Sequence, residues 1–312
     1  MLHDVFFWMV NECIRLTLLV LAMLPIRRVL KKGTARMCYF FWSILPVSIL
    51  VRLLGSLLQS RSVETGGIQG QGWLFGMPEL FLYLLEAVWL IGMTVKLYGV
   101  VVSCIRLKRY LVGSFCIGEN VYVSSRVTTP FSMGLFAPKI YLPAGLEEAY
   151  YPPVILHEKV HIARKDLWVK TLAVFFTVLF WFCPIWNKVC DICIEDMEEA
   201  CDEAVIRKGS DAFKRQYAEA LVMAAVSEDV QELSLGCGRE AIEERIGRIM
   251  GYGKISATHK RKGFICFLFF GVLFVTMMPL LPNVIGKAET VRTRTGQTRN
   301  WNTYSETTEI LK

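Results

Sequence analysis

The sequence predicts a mainly α-helical membrane protein in which about four transmembrane helices carry a cytoplasmic α+β domain. Three observations point there. Hydrophobic residues make up 54% of the 312 and the mean hydropathy is +0.40, too apolar for an ordinary soluble enzyme of this length. The apolar residues gather into runs long enough to span a bilayer, which takes about 20 residues. Between the third and the last of these runs lies a long stretch that shows first the alternation of short strands and then the period of amphipathic helices.

Four runs qualify as spans: Val5 to Leu24, Met37 to Leu58, Leu74 to Ile105 and Gly263 to Pro282. In the first, Asn11, Glu12 and Arg15 recur at helical spacing and must face other helices or the interface, because a charge in lipid is costly. No small-residue cleavage site follows, and Arg27-Arg28 come after it, so the run is read as retained rather than as a signal peptide. Arg27, Arg28, Lys31, Lys32 and Arg36 crowd the first loop, whereas the second, Gln59 to Gly72, has Arg61 and Glu64. The first loop is therefore expected in the cytoplasm and the amino terminus outside. The organisation that follows is three spans over 1–105, a cytoplasmic domain over 106–262, a last span over 263–284 and a short, flexible external tail over 285–312. Most of the net charge of +7 sits where this bias puts it, so anionic lipid is a sufficient partner for it. No helix-turn-helix and no interleaving of basic with aromatic residues is present, which excludes direct nucleic-acid binding.

Within the cytoplasmic domain, residues 120–143 contain Val121-Tyr122-Val123 and Ile140-Tyr141-Leu142, punctuated by Gly134, Pro138 and Pro143. This reads as a β-hairpin or small sheet, either purely structural or offering an edge to an extended peptide. Helices are expected from Ala212 to Val226 and from Arg239 to Met250. In the second, Ile242, Ile246, Ile249 and Met250 form the core face, with Glu243, Glu244, Arg245 and Arg248 outside. The ten cysteines are expected to be mostly reduced; Cys190 and Cys193 form a single CxxC with no second pair, and packing is their default role.

The chemistry is concentrated in His157-Glu158-Lys159-Val160-His161, which uses two of the four histidines. On a helix, residues four apart share a face, so both imidazoles reach one metal ion with Glu158 beside it, the pattern of a zinc peptidase. A catalytic zinc takes three protein donors. The acidic helix from Glu195 to Glu203 supplies the third: Glu198 is assigned as ligand, and Asp202, four residues on, as a carboxylate that fixes a ligand histidine from behind. Glu199 and Glu203 are expected to be solvated, Cys201 to pack behind the site, and Lys159 to point outward. The apolar run Leu167 to Trp186 cannot cross the bilayer if Glu198 is to reach the histidines. It is therefore read as a buried or membrane-inserted hairpin over 167–186, with a true span and a metal-free pentad as the alternative. Tyr217 or Arg164 is a candidate donor for the tetrahedral oxyanion, with nothing in the spacing to decide.

The order of HExxH, Arg164 and Asp166, the segment Phe180 to Trp186, and Asp196-Met197-Glu198 leading into Ala200-Cys201-Asp202-Glu203 resembles the membrane-embedded metallopeptidases of the β-lactam sensor-transducer (BlaR/MecR) family. Thr129 to Gly134 and Pro138 to Pro143 also resemble the segment before that family's metal helix. The resemblance implies a gluzincin-like zinc metalloprotease domain with Zn²⁺ on His157, His161 and Glu198 and Glu158 as base. It also implies a signal transducer that cleaves a cytoplasmic protein such as a transcriptional repressor, or itself, with homodimerisation left open. The external penicillin-binding sensor of the best-known members is expected to be lacking, since no Ser-x-x-Lys signature follows Pro282. Two other readings remain: a housekeeping membrane protease of the heat-shock or prenyl-protein type, and a non-enzymatic membrane module with a structural metal.

Overall fold

A computed structural model describes residues 2–31, 34–59, 79–207, 209–226, 237–251, 264, 265 and 267–273. The amino-terminal half is helical: α1 (Leu2–Leu30), α2 (Ala35–Phe41), α3 (Ile44–Gln59) and α4 (Glu79–Tyr110). Among the described residues, three segments are long and apolar enough to cross a membrane: Val5–Leu30, Ala35–Leu54 and Leu80–Tyr110. The fourth expected span lies largely outside the described residues; of it, 267–273 are helical, and Phe267 packs against Phe41. The bounds of all three differ from expectation, the third running past Ile105 to Tyr110, and two of the differences have a clear physical cause. Helix α1 runs through Pro25 to Leu30, because Arg27 in its last turn is held by a partner across the molecule. The second span is broken at Trp42-Ser43, since Pro46 lacks the N–H that would bond the Trp42 carbonyl.

Asn11, Glu12 and Arg15 are all buried, as their position on an apolar helix requires. Arg15 donates to Glu12 at 2.6 Å, and Arg52 of α3 lies 2.8 Å from the same carboxylate. The first two apolar helices are thus keyed together by charge as well as by packing.

Strands β1 (Phe115–Gly118), β2 (Val121–Ser124), β3 (Phe131–Met133) and β4 (Lys139–Pro143) form one sheet in the order β1-β2-β4-β3. The pair β2–β4 is parallel and the outer pairs are antiparallel. Strand β1 begins before the expected β region, its apolar Phe115 and Ile117 blending with the end of the preceding helix. Gly134, at φ +110°, makes the β3–β4 turn, where a Cβ would lie 2.5 Å from the Ala137 carbonyl oxygen. Ile140 and Leu142 bury one face of β4 against Val154 of α5 (Tyr151–Arg164) and Ala220 of α8 (Asp211–Val226).

Helix α5 opens on Pro152-Pro153, which suit the first turn, and stops at Lys165 in the left-handed region (φ 61°). The chain turns directly into α6 (Asp166–Leu179) and returns in α7 (Ile185–Ile206). These two helices are antiparallel: Phe176 stacks on Trp186, and Cys190 Sγ donates to the Ala173 carbonyl. The run from 167 to 186 is therefore a helical hairpin. Its tip lies among the apolar helices, with Phe180 and Trp186 in one cluster with residues of α1 and with Trp89 of α4. Two indoles close it: Trp89 Nε1 donates to the Leu179 carbonyl at 3.2 Å and Trp181 Nε1 to the Trp89 carbonyl at 3.1 Å.

Helix α9 (Cys237–Gly251) buries Ile249 and exposes Glu243 and Glu244 as expected, but its two arginines and Met250 are placed otherwise. Met250 is exposed, whereas Arg245 and Arg248 turn inward to Asp202 and Glu199 of α7. Glu199 is accordingly buried rather than solvated, and Glu203 accepts from the Arg36 backbone N–H. The side chain of Ile242 lies outside the described residues.

The seat of the hairpin tip is testable at Gly92 of α4, where a Cβ would fall 2.1 Å from the Trp181 ring. Gly92→Val is expected to displace that indole and cost about 1–3 kcal/mol of stability. A lowered melting temperature and a red-shifted tryptophan emission in purified protein would show it.

Candidate metal centre

The αL turn at Lys165 places Asp166, the first residue of α6, back against the helix that has just ended. His161 Nδ1 lies 2.8 Å from Asp166 Oδ2, and both side chains are buried. A carboxylate only accepts, so the His161 Nδ1 carries the hydrogen and Nε2 is the nitrogen left to face a ligand. His157 is set in the same way through a hydroxyl. Tyr217 of α8 donates to Asp202 Oδ1 at 2.6 Å, leaving its oxygen to accept from His157 Nδ1 at 2.7 Å. Asp202 itself lies 3.4 Å from His157 Nδ1 and is gripped by two nitrogens of Arg245, at 2.8 and 2.9 Å.

Both free nitrogens face one point. His157 Nε2 and His161 Nε2 are 3.1 Å apart, and Glu198 Oε2 lies 3.3 Å from each. Donors about 2.0–2.1 Å from a tetrahedral zinc are separated by about 3.3–3.4 Å, so this triangle has the size of one face of such a site. Three such donors converging in a buried place require a positive charge between them, a proton in the metal-free site or a metal ion in its stead. Burial alone would lower the pKa of His157, but Cys201, Glu198 and Asp202 outweigh it and hold it up at about 10. Against the same burial, Asp166, Cys201 and Glu198 hold His161 up at about 12. Glu198 is kept well below the usual carboxylate range by the two imidazoles, despite a burial that opposes this.

The buried Cys201 also belongs to the neighbourhood. Its Sγ comes within 4.8 Å of the histidine donor atoms, making His157, His161 and Cys201 a second donor set, while its thiol donates to the His157 carbonyl at 3.4 Å. Glu158 is buried beside the histidines and lines a cavity of about 270 Å³ with Thr129, Ser132, Lys170 and Arg245. The wall formed by residues 129–132 includes part of β3, one of the two edge strands of the sheet. Lys159 is exposed, as expected.

Neither expected oxyanion donor is placed for that work. Tyr217 is spent behind His157, and Arg164 stacks over Tyr39 with its Nε 3.4 Å from Asp166. The charged donors among the described residues that line the cavity are Lys170, 3.3 Å from Glu198 Oε1, and Arg245. Sequence reasoning missed Asp166 and Tyr217 as the partners of the ligand histidines. The signal for Asp166 was an acid just beyond the pentad; Tyr217 had none.

A family model described as BlaR1 peptidase M56 matches residues 117–250, the stretch that holds the sheet, the pentad, the hairpin and the acidic helix. That stretch is thus similar in sequence to the BlaR1 peptidase M56 family. The methicillin resistance mecR1 protein of Staphylococcus aureus is 25% identical over 172 residues, covering 52% of this chain and 29% of that protein. The mecR1 protein of Staphylococcus epidermidis matches to the same extent. Regulatory protein BlaR1 of Bacillus licheniformis is 26% identical over 102 residues, or 32% of this chain and 17% of that protein. The chain thus matches less than a third of the length of these curated relatives.

A metal ion at this point competes with any proton for the same imidazole nitrogens. Zinc titrated into metal-free protein at pH 7 is expected to release protons, and its affinity to rise on the order of tenfold per pH unit for each proton displaced, from pH 6 through pH 9. Calorimetry in buffers of different ionisation enthalpy measures this; a pH-independent affinity would contradict the arrangement.

Proposed function

We propose that the protein is a membrane zinc endopeptidase that acts in signal transduction by cutting a cytoplasmic regulator. The observation that carries the proposal is the triangle of His157 Nε2, His161 Nε2 and Glu198 Oε2, each pair 3.1–3.3 Å apart and opening on a cavity lined by Glu158. His157, His161 and Glu198 would be the three residues that hold a zinc ion. Zinc held there supplies Lewis-acid polarisation of a peptide carbonyl and of water. Glu158 takes the proton from the attacking water and passes it to the leaving amine. The outer edge of β3 aligns an extended substrate by adding it as a strand beside the cavity. Lys170 or Arg245 is the cationic group best placed to steady charge on the carbonyl oxygen.

The direction of the site follows from the basic ends of the first helices. Arg27 and Lys31 pair with Asp196 and Glu195 of α7, within three residues of Glu198, so the metal centre lies on the side where the positive loop sits. That side is the cytoplasm, and the substrate is a soluble protein such as a transcriptional repressor. The descriptions of the relatives as a methicillin resistance protein and a regulatory protein support a regulatory rather than a housekeeping role.

Zinc content and proteolysis should be measured in purified wild type and in Glu158→Gln, Glu198→Ala and Cys201→Ala. The first is expected to keep its metal and lose cleavage by at least about a hundredfold. The second should lose both, and the third should keep both. Zinc retained by Glu198→Ala but lost by Cys201→Ala would instead support a histidine and thiolate site.

A further inference from the structure

We infer that Tyr39, at the start of the second apolar segment, is a positioning residue for the metal ligand His161, so that the seating of α2 sets the geometry of the site. The inference rests on the peptidase reading above and adds a control of that site by a membrane segment. Asp166 is fully buried and its two oxygens have separate owners. Oδ2 takes the His161 Nδ1 hydrogen and Oδ1 takes the hydroxyl of Tyr39, each at 2.8 Å, although Tyr39 lies 127 residues away in sequence. A carboxylate held at one oxygen can swing about its Cβ–Cγ bond; held at both, it fixes the imidazole plane and the direction of the Nε2 lone pair.

The tyrosine is itself pinned. Arg164, at the end of the metal helix, lies over its ring at 4.6 Å, and Met197 and Ala200, flanking Glu198 on α7, pack against it. Tyr39 therefore stands between the corner that holds His161 and the turn of α7 that holds Glu198. The same short helix is tied to α7 a second time, because Trp42 Nε1, at its C-terminal end, donates to Asp196 at 2.7 Å. Ala35–Leu54 is long and apolar enough to cross a bilayer. A shift of this segment in the membrane reaches His161 through two consecutive hydrogen bonds, without any change in the ligands themselves. A stimulus acting on α1, α2 or their lipid thereby has a direct route to the peptidase.

The test uses the full chain in lipid nanodiscs, with zinc affinity read by chelator competition and ligand geometry by the visible spectrum of the cobalt-substituted site. Tyr39→Phe is expected to weaken zinc binding about tenfold, shift the cobalt bands, and lower kcat with little change in KM. Added to Asp166→Asn, it should cost nothing further, because its effect passes through that carboxylate. An unchanged affinity and spectrum in Tyr39→Phe overturns the inference, as does a loss that adds in full to that of Asp166→Asn. His157→Ala separates the two levels. If it abolishes zinc binding while Tyr39→Phe changes nothing, only the positioning role falls; if it too leaves zinc affinity intact, the metal centre falls and takes this inference with it.

Discussion

Two unprotonated imidazole nitrogens and a carboxylate oxygen do not share a buried corner unless a positive charge lies between them. The rest of the fold can be understood as the means of holding that arrangement against the repulsion. The histidines come as a pair because the pentad is helical. Their lone pairs converge because Asp166 and the Tyr217–Asp202 pair take the opposite nitrogens. Glu198 arrives because the apolar hairpin of α6 and α7 brings the chain back beside α5. Loss of any of these leaves a donor pointing at nothing.

Helix α7 is the member on which the most depends, and its acids are divided among partners rather than left to solvent. Asp196 is claimed by Arg27 and Trp42, Glu199 by Lys31 and Arg248, and Asp202 by Arg245 and Tyr217, while Glu198 faces the two histidines. Removing the partner of a buried charge commonly costs about 3–5 kcal/mol, so each pairing fixes both the axial position and the rotation of the helix. Basic residues that might have served only to face lipid headgroups are in fact part of the scaffold. The apolar amino-terminal helices and the domain that holds the histidines are thus not separable modules joined by a tether: α1, α2, α5, α6 and α7 meet around one centre.

What was legible in the sequence was what local periodicity records. His157, Glu158 and His161 share a helical spacing, Glu198 and Asp202 share another, and the need for them to meet on one side of the bilayer forced a hairpin at 167–186, which the structure contains. Features that depend on a break in periodicity were not legible. Asp166 reaches His161 because Lys165 adopts a left-handed conformation that its sequence does not advertise. Arg245 and Arg248 were placed outside by amphipathic reasoning, which assumes that a polar face meets water; here it meets the acidic face of α7, and Met250 is left exposed. Tyr39 and Tyr217 are ordinary aromatic residues in sequence, and only tertiary packing brings their hydroxyls to the carboxylates.

The most direct measurement is X-ray absorption at the zinc edge on the purified full-length protein. Two imidazoles and oxygen donors at about 2.0–2.1 Å, with no sulfur, are what the convergence of His157, His161 and Glu198 predicts. A sulfur scatterer at about 2.3 Å that disappears in Cys201→Ala would contradict it, because the third ligand would then be the thiolate and Glu198 would not bind the metal.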